Sequence, residues 1–129
     1  MPHLIVEYSA NLEGPDMDGL ADTLYEAALE TGIFPKGGIR VRFARRDRYR
    51  ISDLSPDNAF IHVLARIGVG RTLAVKKQAG GLLFKALKQH MAARFESGPL
   101  ALSLHIQEID PDLSFKHSNL HDYVARRQA

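Results

Sequence analysis

The stretch His3–Ala44, HLIVEYSANLEGPDMDGLADTLYEAALETGIFPKGGIRVRFA, decides how the chain folds. From His3 to Ser9 it carries Ile5, Val6 and Tyr8, with Leu4-Ile5-Val6 apolar on both faces, which is the composition of a buried strand. Gly14-Pro15 breaks this run. Asp16 and Asp18 are then placed to cap a helix in which Met17, Leu20, Ala21, Leu24 and Ala28 follow i, i+3, i+4, i+7 spacing. Gly32 stops the helix. Lys36-Gly37-Gly38 opens a second extended run, Ile39 to Ala44, where Ile39, Val41 and Phe43 alternate with Arg40 and Arg42. One face of that strand is apolar and the other cationic. Two strands joined through a helix in this way pair in parallel with a right-handed crossover.

The same order returns further along. After the turn-rich Asp53, Ser55, Pro56 and Asp57, Ala59 to Ile67 reads as a third strand, followed by the loop Gly68-Val69-Gly70-Arg71-Thr72. Thr72 caps a long helix with Val75, Ala79, Leu82, Leu83, Ala86, Leu87 and His90 on one face. Gly80 and Gly81 inside it each cost up to about 1 kcal/mol relative to Ala, so a close backbone contact is expected there. Past Ser97-Gly98-Pro99, Leu100 to Ile109 forms a fourth strand, and the tail holds a shorter amphipathic piece near Leu120, Tyr123 and Val124. The chain is therefore expected to form one α/β (α+β) domain over 1–129, built from two β-α-β-like units of about 1–57 and 58–129. Two helices on one face of a four-stranded sheet leave the other face bare. Because that face still carries apolar residues, we expect copies of the same chain to bury it in a closed ring.

Composition narrows the chemistry. The 129 residues are 45% hydrophobic and 25% charged, as in ordinary globular domains, and contain no cysteine. Disulfides, thiolate nucleophiles and Cys-based zinc or iron–sulfur sites are excluded, and a reducing cytoplasm is the expected location. No stretch approaches the roughly 18 apolar residues of a membrane span, so no membrane partner is expected. Arg40, Arg42, Arg45, Arg46, Arg48 and Arg50 crowd one segment against Asp47 alone, and the remaining 11 of 17 cations face 14 of 15 anions. Phe43 and Tyr49 would let this run stack on nucleic acid, but the rest of the chain offers no broad basic face, and no nucleic-acid partner is expected.

Met1-Pro2-His3 is the first chemical candidate. Aminopeptidases remove an initiator Met ahead of a small residue, which would leave Pro2 as a free secondary amine at the head of a buried strand. An α-amino group starts near a pKa of about 7.7–8.0, and burial and neighbouring cations push it down, giving an uncharged base near neutral pH. Arg40 and Arg71 are the matching anion-binding candidates, since a guanidinium grips a carboxylate with two N–H groups. Gly68–Thr72 lacks both the G-x-x-x-x-G-K-[ST] pattern and the third glycine of G-x-G-x-x-G, so it is not a nucleotide loop. Six histidines, with His117 and His121 at i, i+4 and His3, His62 and His105 on separate strands, raise a metal hypothesis. No acidic third ligand falls at a recognisable spacing, and no metal is expected. No G-x-S-x-G nucleophile is present either.

Taken together, the proline after the initiator Met, the repeated β-α-β unit and the two arginines resemble the tautomerase superfamily, and within it the 5-carboxymethyl-2-hydroxymuconate isomerase family. The segments carrying the likeness span nearly the whole chain: Met1-Pro2-His3, Ile5-Val6-Glu7, Thr31-Gly32-Ile33-Phe34-Pro35, Gly38-Ile39-Arg40, Ile67-Gly68, Gly70-Arg71, Glu96-Ser97, Leu100-Ala101-Leu102-Ser103 and Phe115-Lys116. The resemblance implies a mixed four-stranded sheet with both helices on one face, and a ring-shaped homotrimer. It also implies cofactor-free proton transfer by Pro2 on a polycarboxylate dienol of aromatic (homoprotocatechuate, 4-hydroxyphenylacetate) breakdown. In that reading Pro2, Arg40 and Arg71 are catalytic, while Arg42 and Phe115 bind substrate, with Arg71 or Phe115 available to a neighbouring chain. The same scaffold also admits a dehalogenase or decarboxylase-like activity. Unit two lacks a free amine, because Phe60 is internal, and has Leu102 and Leu104 near where Arg40 would repeat, so one site per chain is expected.

Overall fold

The computed structural model describes residues 2–128. Strands β1 (His3–Ser9), β2 (Arg40–Arg46), β3 (Ala59–Gly68) and β4 (Leu100–Ile109) form a single sheet in the order β2-β1-β3-β4. Each half contributes one parallel pair. β1 runs beside β2 from His3↔Arg40 to Ser9↔Arg46, and β3 beside β4 from Ala59↔Leu100 to Gly68↔Ile109. The halves meet antiparallel at β1 and β3, from His3↔Arg66 to Tyr8↔Ile61, so the sheet is mixed. Buried Ser9 fastens this seam: its hydroxyl donates to Asn11 Oδ1 at 2.7 Å and accepts from the Phe60 N–H at 3.0 Å.

Alternation along the strands builds the core. Leu4 and Val6 point to the same side as Ile61, Val63, Ala65 and Ile67, and all are buried. Helices α1 (Pro15–Glu30) and α2 (Leu73–His90) cover this side with Leu20, Leu24, Ala28, Leu83 and Leu87. Each buried Leu, Ile or Val among them contributes roughly 1.5–3 kcal/mol by leaving water. His90 ties the two helices together, its Nε2 donating to the Asp16 carbonyl at 2.8 Å and its Nδ1 accepting from the Thr23 hydroxyl at 3.1 Å.

Several local expectations change. Gly14, not an aspartate, is the N-cap of α1, because Pro15 with its fixed φ takes the first helical position. Asp16 and Asp18 fall in the first turn, where their charge favours the helix dipole. Strand β2 starts at Arg40 and runs on into the arginine segment. Helix α3 (Ala92–Ser97) was not expected; it continues the chain past Met91, which is buried. Helix α4 (Leu120–Gln128) matches the amphipathic tail and packs on the turn Lys36–Gly38. The face of the sheet away from the helices is far more polar than its apolar residues suggested. Strand register gives it His3, Glu7, Arg40, Arg42, Arg46, His62, Arg66, Ser103, His105 and Gln107 between Ile5, Phe60 and Leu64.

Thr72 caps α2 through its hydroxyl, 3.2 Å from the Val75 N–H, as expected. The two glycines inside that helix differ. A Cβ on Gly80 would stand 2.8 Å from Ile106 Cδ1, so a close approach to β4 does explain this residue, whereas a Cβ on Gly81 would meet nothing within 4 Å. Gly81→Ala should therefore gain the full helix propensity, about 1 kcal/mol, and raise the melting temperature. Gly80→Ala should gain less or lose stability, because Ile106 must move. Thermal unfolding of the two variants checks this, and the reverse order would contradict it.

Candidate active site at one end of the sheet

Because β1 and β2 begin where β3 and β4 end, both halves deliver residues to one end of the sheet. Pro2 heads β1 and is under 2% exposed; its carbonyl accepts the Arg40 N–H at 3.1 Å. Arg40 lies opposite His3 in register, so its side chain shares the helix-free face with the imidazole. The guanidinium is half-buried and donates from Nη1 to the Gly38 carbonyl at 2.9 Å, which engages one of its several N–H groups. Removal of Met1, on which the free amine depends, lies outside the described residues.

The other candidates sit around His3. Arg42 donates from Nη1 to His3 Nδ1 at 3.0 Å. Burial, then the fields of Arg42, Arg40 and Arg66, lower the pKa of the His3 imidazole below its ordinary 6.5. A hollow of about 440 Å³ lies beside it, lined by His3, Gly68, Val69, Ile109, Phe115 and Lys116. Phe115 is 92% exposed there. A second hollow of about 410 Å³ shares His3, Ile109 and Ser114 and adds Arg42, Arg66 and Gln107. Pro2 lines neither, but the residue bonded to it lines both.

Arg71 reaches the same end of the sheet with its side chain committed elsewhere. Its Nη1 donates to the Gly68 carbonyl at 3.2 Å and its Nη2 to the Ile33 carbonyl at 2.9 Å, and its guanidinium stacks 5.1 Å from the centre of the Phe34 ring. Arg71 thus clasps the loop after β3 to the loop after α1. In the second half the first register pair is Ala59↔Leu100, with no cation at the position Arg40 holds in the first.

Sequence reasoning missed Arg66 and Lys116, and saw His3 only as a metal candidate. The available signal was outward alternation from Pro2, which places residue 3 on the helix-free face. The other histidine patterns do not assemble. His117 lies ahead of α4, so no helical turn joins it to His121, and among the described residues no group of three His, Cys, Asp or Glu side chains converges for a metal. Arg45 pairs with Asp47 at 2.9 Å and Arg46 with Glu7 at 2.7 Å, so part of the arginine run is neutralised within the chain. A larger hollow, about 710 Å³, lies between α2 and β4 around Gly80, Phe84 and Leu104 and includes none of Pro2, His3, Arg40 and Arg71. We place the chemistry at the sheet end because the candidate base and the clustered cations are there. Among the described residues, no helix is long and apolar enough to cross a membrane.

Comparison with known proteins bears on the family and the fold. The model of the family described as 5-carboxymethyl-2-hydroxymuconate isomerase matches residues 2–124. The 5-carboxymethyl-2-hydroxymuconate Delta-isomerase of Escherichia coli is 44% identical over 122 residues, covering 94% of this chain and 97% of that protein. A crystal structure of a 5-carboxymethyl-2-hydroxymuconate isomerase from Deinococcus radiodurans R1 superposes with a TM-score of 0.89 at 39% identity, covering 95% of this chain and 93% of the other. A symmetric trimer of fused 4-OT superposes with a TM-score of 0.70 at 14% identity, covering 89% and 93% of the two chains, a likeness of fold alone.

Proposed function

Since the chain belongs to the 5-carboxymethyl-2-hydroxymuconate isomerase family, we propose that it converts a polycarboxylate dienol of the 5-carboxymethyl-2-hydroxymuconate type to the conjugated 2-oxo-enoate. Pro2, freed of Met1, is the base. Its nitrogen takes the proton of the 2-hydroxyl, the oxygen lone pair closes to a carbonyl, the 2,3 double bond moves to the 3,4 position, and the 4,5 electron pair is left on the distal carbon. The distal carbon then takes the proton back from the protonated proline. Atoms and charge balance without a further reactant.

Charge arrangement favours each step. A buried amine beside Arg40, Arg42 and Arg66 is disfavoured in its protonated form, which keeps the base available. The same cations attract a polyanion and hold the dienolate oxygen as its charge develops. Arg40 is assigned to that oxygen and the adjoining carboxylate, Arg42 to a second carboxylate, and Phe115 to the apolar diene. Arg71 holds the neighbouring loop in place and adds to the positive field. We assign the chain a homotrimer in which the helix-free face is turned towards its copies, and a cytoplasmic place in 4-hydroxyphenylacetate breakdown.

The observation that carries the reading is Pro2 held against Arg40 at a sheet end ringed by cations. The dienol, generated fresh, absorbs in the ultraviolet, and its decay with and without protein tests the reading, alongside an intact mass. A mass lacking Met1 and a decay far faster than the spontaneous one are expected. Uniform retention of Met1, or no acceleration, would refute it.

A further inference from the structure

His3 stands at the junction of two hollows, and its surroundings fix its chemistry. An arginine side chain carries donors and no acceptor, so the 3.0 Å contact from Arg42 Nη1 requires a lone pair on His3 Nδ1. The ring proton must then sit on Nε2. The charged groups around the ring are Arg40 and Arg42 from β2, Arg66 from β3 and Lys116 from the loop after β4; Glu108 of β4 also lines a hollow, but its register with Ile67 turns its side chain to the helix side of the sheet. Glu108 is already bound to Lys76 at 2.9 Å, so the surroundings are cationic and keep the ring in this uncharged form. A donor pointing into a cationic hollow beside the proposed base is suited to an anionic oxygen, and no protein acceptor bonded to Nε2 is found among the described residues.

We infer that His3 is a substrate-binding residue whose imidazole, anchored at Nδ1 by Arg42, donates its Nε2–H to a carboxylate of the polyanion held in the hollow it shares with Phe115. The inference rests on the proposed isomerase site and deepens it, naming a neutral donor among the arginines. Such a donor adds direction to the site. Arginines attract any polyanion, whereas a ring fixed at one nitrogen presents the other along a single line, so His3 selects where the carboxylate lies relative to Pro2.

Two isosteres separate this from a structural role. Gln at position 3 places an amide N–H near the Nε2 position and gives up the Arg42 contact. Asn places its carbonyl near the Nδ1 position, keeps Arg42 and gives up the donor. Binding of cis,cis-muconate, a stable dienedioate, is measured on the full Met1-processed protein together with the imidazole nitrogen signals of His3. We expect His3→Asn to weaken binding about tenfold or more and His3→Gln to stay within about threefold of wild type, because hydrogen bonds to charged groups are among the stronger ones. Muconate should also shift the Nε2 signal. Equal binding by all three proteins, greater loss in Gln than in Asn, no Nε2 response, or no muconate binding by wild type would each overturn the inference. If the expected ranking holds while the dienol assay fails, the binding role stands and the reaction assignment falls.

Discussion

Retention of Met1 slows turnover sharply: a Pro2→Leu chain, whose second residue is too large for initiator removal, is expected to isomerise the dienol about 10²–10⁴-fold more slowly, the range that general acid–base catalysis supplies. Pro2→Ala behaves differently. Its small second residue still allows Met1 to leave, so a primary amine remains at the head of β1 and activity falls by roughly tenfold rather than being lost. Pro2 is fully buried, so each variant also disturbs packing, and the thermal midpoint must be read beside the rate. The Arg40 N–H to Pro2 carbonyl bond is a backbone contact and survives both substitutions. Intact mass states which amine is present in each preparation. Wild-type rates in a Pro2→Leu protein shown to keep Met1 would remove the proline from the chemistry.

The first half of the chain was largely legible because its signals are local. The apolar run from His3 to Ser9, the helical spacing from Met17 to Ala28 and the left-handed Gly32, with φ of 72°, each act within a few residues. Helix α3 carried no such signal: Ala92–Ser97 is short and contributes no buried residue. Gly80 and Gly81 look alike in sequence, and only the distance to Ile106 across the α2–β4 packing tells them apart. The site divides along the same line. Pro2 and Arg40 were readable from position and alternation. Arg71 was readable as an arginine in a loop, but its hydrogen bond to the Ile33 carbonyl joins residues 38 apart in sequence and depends on how the loops pack. The contribution of His3 follows from register, since pairing with β2 and β3 brings Arg42 and Arg66 around its ring. The polar character of the helix-free face was hidden for the same reason, being the sum of alternate residues from four strands.

Arg40→Ala has the second large effect, and its form distinguishes a substrate contact from a structural one. The backbone N–H of residue 40 keeps its bond to the Pro2 carbonyl whatever the side chain, so β1 and β2 stay in register. What disappears is a half-buried guanidinium whose one hydrogen bond among the described residues goes to the Gly38 carbonyl. Losing that bond costs stability about 0.5–1.5 kcal/mol. Losing a donor that meets developing oxyanion charge costs far more in rate, about 10²–10³-fold in kcat. Arg40→Lys should fall between, because it restores the charge without the planar fork that grips oxyanions at two points. Arg71→Ala offers the contrast: its guanidinium holds two carbonyls and a ring, so its loss should lower the thermal midpoint more than Arg40→Ala does. Steady-state kinetics and thermal unfolding of the three variants decide the matter. A slow Arg40→Ala enzyme with a nearly native midpoint is the expected result. Undiminished kcat and KM in that variant would show that the dienolate oxygen is stabilised elsewhere, and a rate loss that merely tracks unfolding would make Arg40 a structural residue.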